Sequence, residues 1–408
     1  MGEPSSGKAA TLRIGIAGAR FAARFHCQAY RRVCGVPVEV VGVTSKGAES
    51  REKFADDCHV KSFATLEELC DAADVIDICA PPSTHEPLAV QALERGKHVV
   101  IEKPFTGYFG PTANSPAATS SKKSFRGNEF SKEIMLREAL ASCDRILQAA
   151  QRGGKRVCYA ENWVYAPAIA KEREILTKSG AQILWIVGDE SHSGSHSPYY
   201  GIWRHSGGGS LVGKGCHPLT AALHLKRAEG ETRPGGRPIR PATVSARTHE
   251  ITRLHDFRDA GFLRTDYDDV EDYGQMHVTF EDGTVADIFS SELVLGGVHN
   301  WLEVFANNHR TRCNLNPIDA LETYNPREEQ FKDIYVTEKI GTKQGWSHPA
   351  PDEDWQHGYP QEFQDFVESI TAGREPLSGA ELARDTIAVL YSAYLSAERR
   401  GAEVEISH

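Results

Sequence analysis

Two rhythms of apolar residues alternate along the first hundred positions. LRIGIA (12–17), VEVVGVT (38–44), DVIDICAP (74–81) and HVVIEKP (98–104) are short apolar runs with the length of buried strands. Between them lie helix-like stretches: AARFHCQAYRRV, ESREKFADD, TLEELCDAA with Thr65 as N-cap, and THEPLAVQALERGK stopped by Gly96. Strands separated by helices of this length imply parallel pairing through right-handed crossovers, a doubly wound nucleotide-binding fold. Residues 106–130 break the pattern with Ser, Thr, Gly, Pro, Ala and Asn, as an inserted loop does. Helical periodicity resumes after Ser131 and stops at Gly153, and KRVCYAENW is the expected last strand of a Rossmann domain spanning 1–160.

Beyond that point strands follow one another directly. QILWIVGDES, ATVSARTHEIT, YGQMHVTFEDGTVADIFSSEL and NWLEVFANNHRTRCNLN alternate, with EDGT (281–284) as a hairpin turn. The expectation for 161–408 is an α+β domain with a large, mainly antiparallel open sheet, to which the resemblance described below adds substrate binding and oligomerisation. Two closing amphipathic helices, QEFQDFVESITAG and GAELARDTIAVLYSAYLSAERRG, could pack on that sheet or return to the first domain. The chain of 408 residues is 40% hydrophobic and carries a formal net charge of −10. This balance argues against nucleic-acid binding. No apolar stretch is long enough to span a bilayer. Nine cysteines without zinc-type spacing suit reduced thiols in a cytoplasmic protein.

The chemistry begins at GIAGARFAARFH, placed where a dinucleotide turn belongs, between first strand and first helix. Gly18 is the first glycine of the fingerprint, followed by Ala19, Arg20, Phe21 and Ala22; Arg20 takes the second glycine position. Either Arg20 swings out to pair with a phosphate or a 2′-phosphate, or the chain binds dinucleotide weakly or not at all; the intact surroundings favour the former. After the second strand, Ser45 and Lys46 stand where a carboxylate would bind the ribose of NAD, which leans the expectation toward NADP. His192 and His196 sit four apart, but Gly194 and the serines disfavour a helix, so a polar substrate loop is expected there and no metal.

GARFAARFH, then APPSTHEPLAVQALERGKHVVIEKP (80–104), then WRHSGGGSLVGKGCHPLTAAL (203–223), together with the closing HGYPQEFQDFVESITAGREPLSGAELARDT, resemble the Gfo/Idh/MocA family of glucose–fructose oxidoreductase and inositol dehydrogenases. The resemblance implies an NAD(P)-dependent oxidoreductase acting on a sugar, glycoside or cyclitol hydroxyl. It also implies a homodimer or homotetramer formed through the C-terminal sheet. Family members that keep the cofactor bound for elimination or epimerisation, and non-catalytic regulators of the same fold, supply the alternatives.

Lys103 in Glu102-Lys103-Pro104, at the C-terminal end of a parallel strand, is the expected base or proton shuttle, its pKa lowered beside a nicotinamide cation. Glu102 is expected to orient it, and a cis Lys-Pro bond to fix the turn. Ala80, Pro81, Pro82 and His85 match the family's nicotinamide loop. His217 is the expected second catalytic residue. The family's aspartate four residues before it is Gly213 here, so Asp189 or Glu190 could substitute. Glu161, Asn162, Tyr165, Trp203 and Arg204 are expected to line the substrate pocket.

Overall fold

Residues 10–111, 125–195, 197, 199–316 and 321–408 are described by the computed structural model. The N-terminal half runs β1 (Leu12–Ala17), α1 (Phe21–Tyr30), β2 (Val38–Thr44), α2 (Ala48–Cys58), β3 (Lys61–Phe63), α3 (Leu66–Ala72), β4 (Val75–Ile78), α4 (His85–Glu94), β5 (His98–Glu102), α5 (Lys132–Gly153) and β6 (Val157–Ala160). The six strands form one parallel sheet in the order β3-β2-β1-β4-β5-β6. The order reverses between β1 and β4, which opens a crevice at their carboxyl ends. Local sequence explains the elements. Ile14 and Ile16 of β1 and all four residues of β4 are buried. Thr65 accepts from the Glu68 amide at 3.2 Å and Ser131 from the Ile134 amide at 3.4 Å, so both expected N-caps form. The short β3 went unread, and Gly154 rather than Gly153 takes the left-handed position after α5, at φ +60°.

The second half runs α6 (Pro167–Ser179), β7 (Ile183–Ser191), α7 (Trp203–Ser206), α8 (Cys216–Thr232), β8 (Pro241–His249), β9 (Tyr273–Phe280), β10 (Val285–Ser291), β11 (His299–Ala306), β12 (Arg310–Asn314), β13 (Thr323–Asn325), β14 (Gly345–Ser347), α9 (Glu353–His357), α10 (Tyr359–Ala372), α11 (Ala380–Glu398) and β15 (Val404–Glu405). Seven of these strands make an open sheet, β12-β11-β7-β10-β9-β8-β15. All its pairs are antiparallel except β7 with β10. The expected hairpin at 281–284 closes with Phe280 N–H donating to the Thr284 carbonyl at 2.9 Å.

Helices α8 and α11 cover one face of this sheet. The other face carries Trp185, stacked on Phe305 at 4.6 Å, and the His277–Asp287 pair at 2.7 Å. The two closing helices divide. Helix α10 returns to α1, with Phe363 edge-on to His26 and Tyr30, while α11 lies between α5 and β8. The site therefore sits between sheets locked together by the chain's last third. Among the described residues no helix is long and apolar enough to cross a membrane.

Candidate functional site

The glycine turn is shaped by sterics. Gly18 has φ +130°, and a Cβ there would stand 2.4 Å from the Cys79 carbonyl oxygen, so only glycine lets β1 approach the β4–α4 loop. Arg20 sits at φ −113°, a conformation open to any residue, so its side chain costs the turn nothing. Its guanidinium lies 5.1 Å over the ring of Tyr199, across the crevice. Helix α1 starts with no capping side chain and no acidic residue in its first turn. Uncapped amides beside an arginine suit a pyrophosphate. Ala19 is buried, Ala22 half-buried and Phe21 exposed on this turn, with Phe21 edge-on to Phe25 at 4.6 Å.

Past β2, the Ser45 hydroxyl donates to the Gly47 carbonyl at 3.2 Å and Lys46 is exposed. Arg51, which sequence reasoning passed over, donates to the Ser45 carbonyl at 3.2 Å and adds a second cation. The residues present fit a nicotinamide dinucleotide. Its phosphates would be held by 18–22, its ribose by 45–46 and its redox ring near 80–85 and 102–103.

Behind β4 and β5 lies a buried polar chain. His26 Nδ1 is 2.9 Å from Asp77 Oδ2, and His26 Nε2 is 3.5 Å from Glu102 Oε1. Burial opposes charge on His26, yet Asp77 and Cys79 outweigh it and hold the imidazole well above its usual range. Burial likewise pushes Glu102 up, but the hydrogen bond and charge of His26, with Lys103 and His85, bring it below the ordinary carboxylate value. His85 spans two loops: Nδ1 is 2.9 Å from the Pro104 carbonyl and Nε2 is 2.9 Å from the Ala80 carbonyl. Burial holds this ring below its usual pKa. It thus ties the Ala80-Pro81-Pro82 loop to the Glu102-Lys103-Pro104 turn. The Lys103–Pro104 peptide is cis, as expected.

Lys103 Nζ donates to the Gly213 carbonyl at 2.8 Å and lies 5.6 Å from the Tyr200 ring. Burial works to lower this amine, but Tyr200, Cys216, Glu190 and Glu102 outweigh it and hold it well above the usual lysine value. Tyr200 and Cys216 are themselves raised and so neutral at pH 7; of the two carboxyls, burial pushes Glu190 up, while the hydrogen bond and charge of His26 bring Glu102 below its ordinary value. The lowered amine expected from sequence is thus opposed by the protein's own carboxylates; a cationic cofactor ring would have to overcome them.

His217 follows a π-helical turn, Leu211–Gly215, at the start of α8. Such turns re-aim side chains at functional sites. Its Nδ1 is 2.5 Å from Glu161 Oε1 and its Nε2 is 3.8 Å from Glu190 Oε2, while the Trp163 ring stacks on it at 6.1 Å. Burial would lower its pKa, but Glu161 and Glu190 raise it above the usual value despite Lys103. Glu161 therefore orients His217, and Glu190, close to His217 Nε2, acts electrostatically on Lys103 as well. Asp189, the other carboxylate considered, faces away toward Ser191 at 2.5 Å and His299 at 3.2 Å. One position past Gly213, Lys214 is buried and paired with Glu292. A lysine inside a glycine-rich run was the signal for it, and it went unread.

Other residues expected at the pocket are engaged elsewhere. The Tyr165 hydroxyl donates to Asp365 at 2.8 Å and accepts the Ser378 amide at 2.9 Å, which places it in the core against α10. Trp203 is 1% exposed, donates from Nε1 to the Tyr108 carbonyl at 3.0 Å and packs on Tyr394, so its ring offers no face to a sugar. Asn162 donates to the His357 carbonyl at 2.8 Å, and Arg204 lies exposed over Phe125 at 5.1 Å. The glycine triplet also serves packing. A Cβ on Gly209 would meet the Glu271 carbonyl oxygen at 2.1 Å, and the Glu271 carboxylate accepts the Gly209 and Leu211 amides at 3.1 and 3.0 Å.

Two donor groups, His26/Asp77/Cys79 and Glu161/Cys216/His217, each lie within 4.8 Å mutually, near enough for a metal ion. Hydrogen bonds already pair His26 with Asp77 and Cys79, and His217 with Glu161. His196 lies outside the described residues, as does much of the 106–130 insertion.

Residues 12–114 match the Gfo/Idh/MocA family model, described as an oxidoreductase family with an NAD-binding Rossmann fold. The UDP-N-acetylglucosamine 3-dehydrogenase of Acidithiobacillus ferrooxidans is 33% identical over 95 residues, 23% of this chain and 29% of that protein. The galactose 1-dehydrogenase of Pseudomonas fluorescens is 30% identical over 169 residues, 41% of this chain and 44% of that protein. Each alignment thus spans less than half of the relative. The solved structure of GenD2 from gentamicin A biosynthesis, in complex with NAD, superposes with a TM-score of 0.76 at 21% identity, covering 100% of both chains, and shows the same fold. The family match is confined to residues 12–114, within the nucleotide-binding part of the chain.

Proposed function

We propose that this protein is an NAD(P)-dependent oxidoreductase that moves hydride between a nicotinamide and a secondary hydroxyl or ketone of a sugar, glycoside or cyclitol. The observation that carries the reading is that Lys103, at the carboxyl end of β5, bonds the Gly213 carbonyl four residues before His217, whose Nε2 lies 3.8 Å from Glu190. Open α/β sheets bind their ligands at the carboxyl ends of their strands. When bound, the nicotinamide supplies the hydride acceptor. The chain supplies the proton path and the positioning.

Lys103, fixed by the Gly213 carbonyl, meets the substrate hydroxyl and, as the neutral amine that a bound nicotinamide cation would favour, takes its proton as the carbon gives up hydride. His217, with Nδ1 bonded to Glu161, directs Nε2 toward the same oxygen and toward Glu190. The carboxylates keep both side chains in register. Arg20 would pair with the dinucleotide phosphates. Lys46 and Arg51 support a preference for NADP. The open face bearing Trp185 and Phe305 is the surface through which copies of the chain would associate.

The test mixes the protein with NAD or NADP and a panel of sugars, glycosides and cyclitols, and follows reduced-nicotinamide absorbance. Reduction with at least one carbohydrate is expected. Nucleotide binding with no redox change across the panel, in either direction, would overturn the reading in favour of a sensor.

A further inference from the structure

Gly213 leaves Lys103 without the carboxylate that the family pattern places there, and the structure fills that space from another part of the chain. Tyr200 lies on the loop after β7. A Cβ built on Gly213 would meet Tyr200 Cδ1 and Cε1 at 3.6 Å, ordinary contact, so the ring lies directly against position 213. Lys103 Nζ stands 5.6 Å from the centroid of the same ring, within cation–π range. The loop is held in place by several bonds. Arg264 Nη1 donates to the Ser195 and Ser197 carbonyls at 2.7 and 2.8 Å, Lys339 Nζ to the Gly194 carbonyl at 2.8 Å, and the Ser195 amide donates to Glu292 at 3.0 Å. The neighbouring Tyr199 receives Arg20 of the dinucleotide turn. One short loop therefore touches both the cofactor turn and the proposed base.

We infer that Tyr200 is a positioning residue: the face of its ring replaces the aspartate absent at 213 and holds the Lys103 ammonium. This rests on Lys103 being the base of the proposed reaction. A ring holds a cation less tightly than a carboxylate at the same place would, so the exchange removes one carboxylate from the set that holds the Lys103 proton. The other groups facing Lys103 are Glu102 from β5, Glu190 from β7, Cys216 and His217 from α8, and Lys214 from the π-helical turn.

The test reads Lys103 without any substrate. The pH dependence of its modification by an amine-directed acylating reagent is followed by peptide mass spectrometry in the full-length protein and two variants. Tyr200→Phe keeps the ring and should titrate with the wild type. Tyr200→Leu keeps apolar bulk but loses the π face, and Lys103 should titrate about half a unit lower. A Leu variant that titrates like the wild type, or a Phe variant that falls as far as Leu, overturns the proposal. Because no turnover is measured, failure here is distinguishable from failure of the oxidoreductase reading, which the absorbance test decides separately.

Discussion

Glu161 and His217, 56 positions apart, meet through a 2.5 Å contact between Oε1 and Nδ1 in a buried wall of the cleft. The contact fixes which imidazole nitrogen faces the wall and leaves Nε2 for the reacting oxygen. Glu161 also raises the pKa of His217 against the lowering effect of burial. Replacing Glu161 by Gln removes that raising charge, so the His217 pKa falls. The pH–rate limb governed by His217 should move to lower pH, with a fall in kcat of about 10–100-fold. A pH profile of kcat for Glu161→Gln checks this; an unmoved limb contradicts it.

His26 gives a prediction about stability. Its pKa is raised in the folded protein, because Asp77 and Cys79 outweigh the lowering by burial. A raised pKa means the folded state keeps its proton longer than the unfolded chain does. The stabilisation is complete below pH 6.5 and is lost as pH rises toward the folded value. The stability gap between wild type and His26→Gln should therefore narrow above pH 6.5, by up to about 1.4 kcal/mol per pH unit. Urea denaturation at several pH values measures it. A gap that does not change with pH contradicts the assignment of charge to His26.

The ribose end of the cofactor site offers a change of preference. Ser45 has no charge to repel a 2′-phosphate, and Lys46 and Arg51 stand beside it. Ser45→Asp should shift the ratio of NADP to NAD affinity at least about tenfold toward NAD. Equilibrium binding of both nucleotides to both proteins gives the ratio, and an unchanged ratio removes the argument.

The nucleotide-binding half was legible because its signals are local. The alternation of strand and helix, the Thr65 and Ser131 caps, and the strand-end position of Lys103 each lie within one short window. The β3 strand was too short to register. The site's partners were hidden for a different reason. Glu161 with His217, Lys214 with Glu292, and Tyr200 with Lys103 are long-range pairs, and spacing within a segment says nothing of them.

Trp203 shows the reverse error. Its place just before the glycine triplet predicts a ring lining the substrate pocket, but its indole is enclosed by Tyr108, Tyr394 and Lys132. His26 was visible in GARFAARFH, yet only the fold places Asp77 and Glu102 on either side of its ring.

The most direct measurement compares steady-state turnover and nucleotide affinity in Lys103→Ala and His217→Ala with those of the wild type, on whichever carbohydrate the wild type oxidises. Each variant should lose about 100–10,000-fold in kcat while nucleotide affinity stays within about threefold. Wild-type turnover in either variant would contradict the shared role of these two side chains.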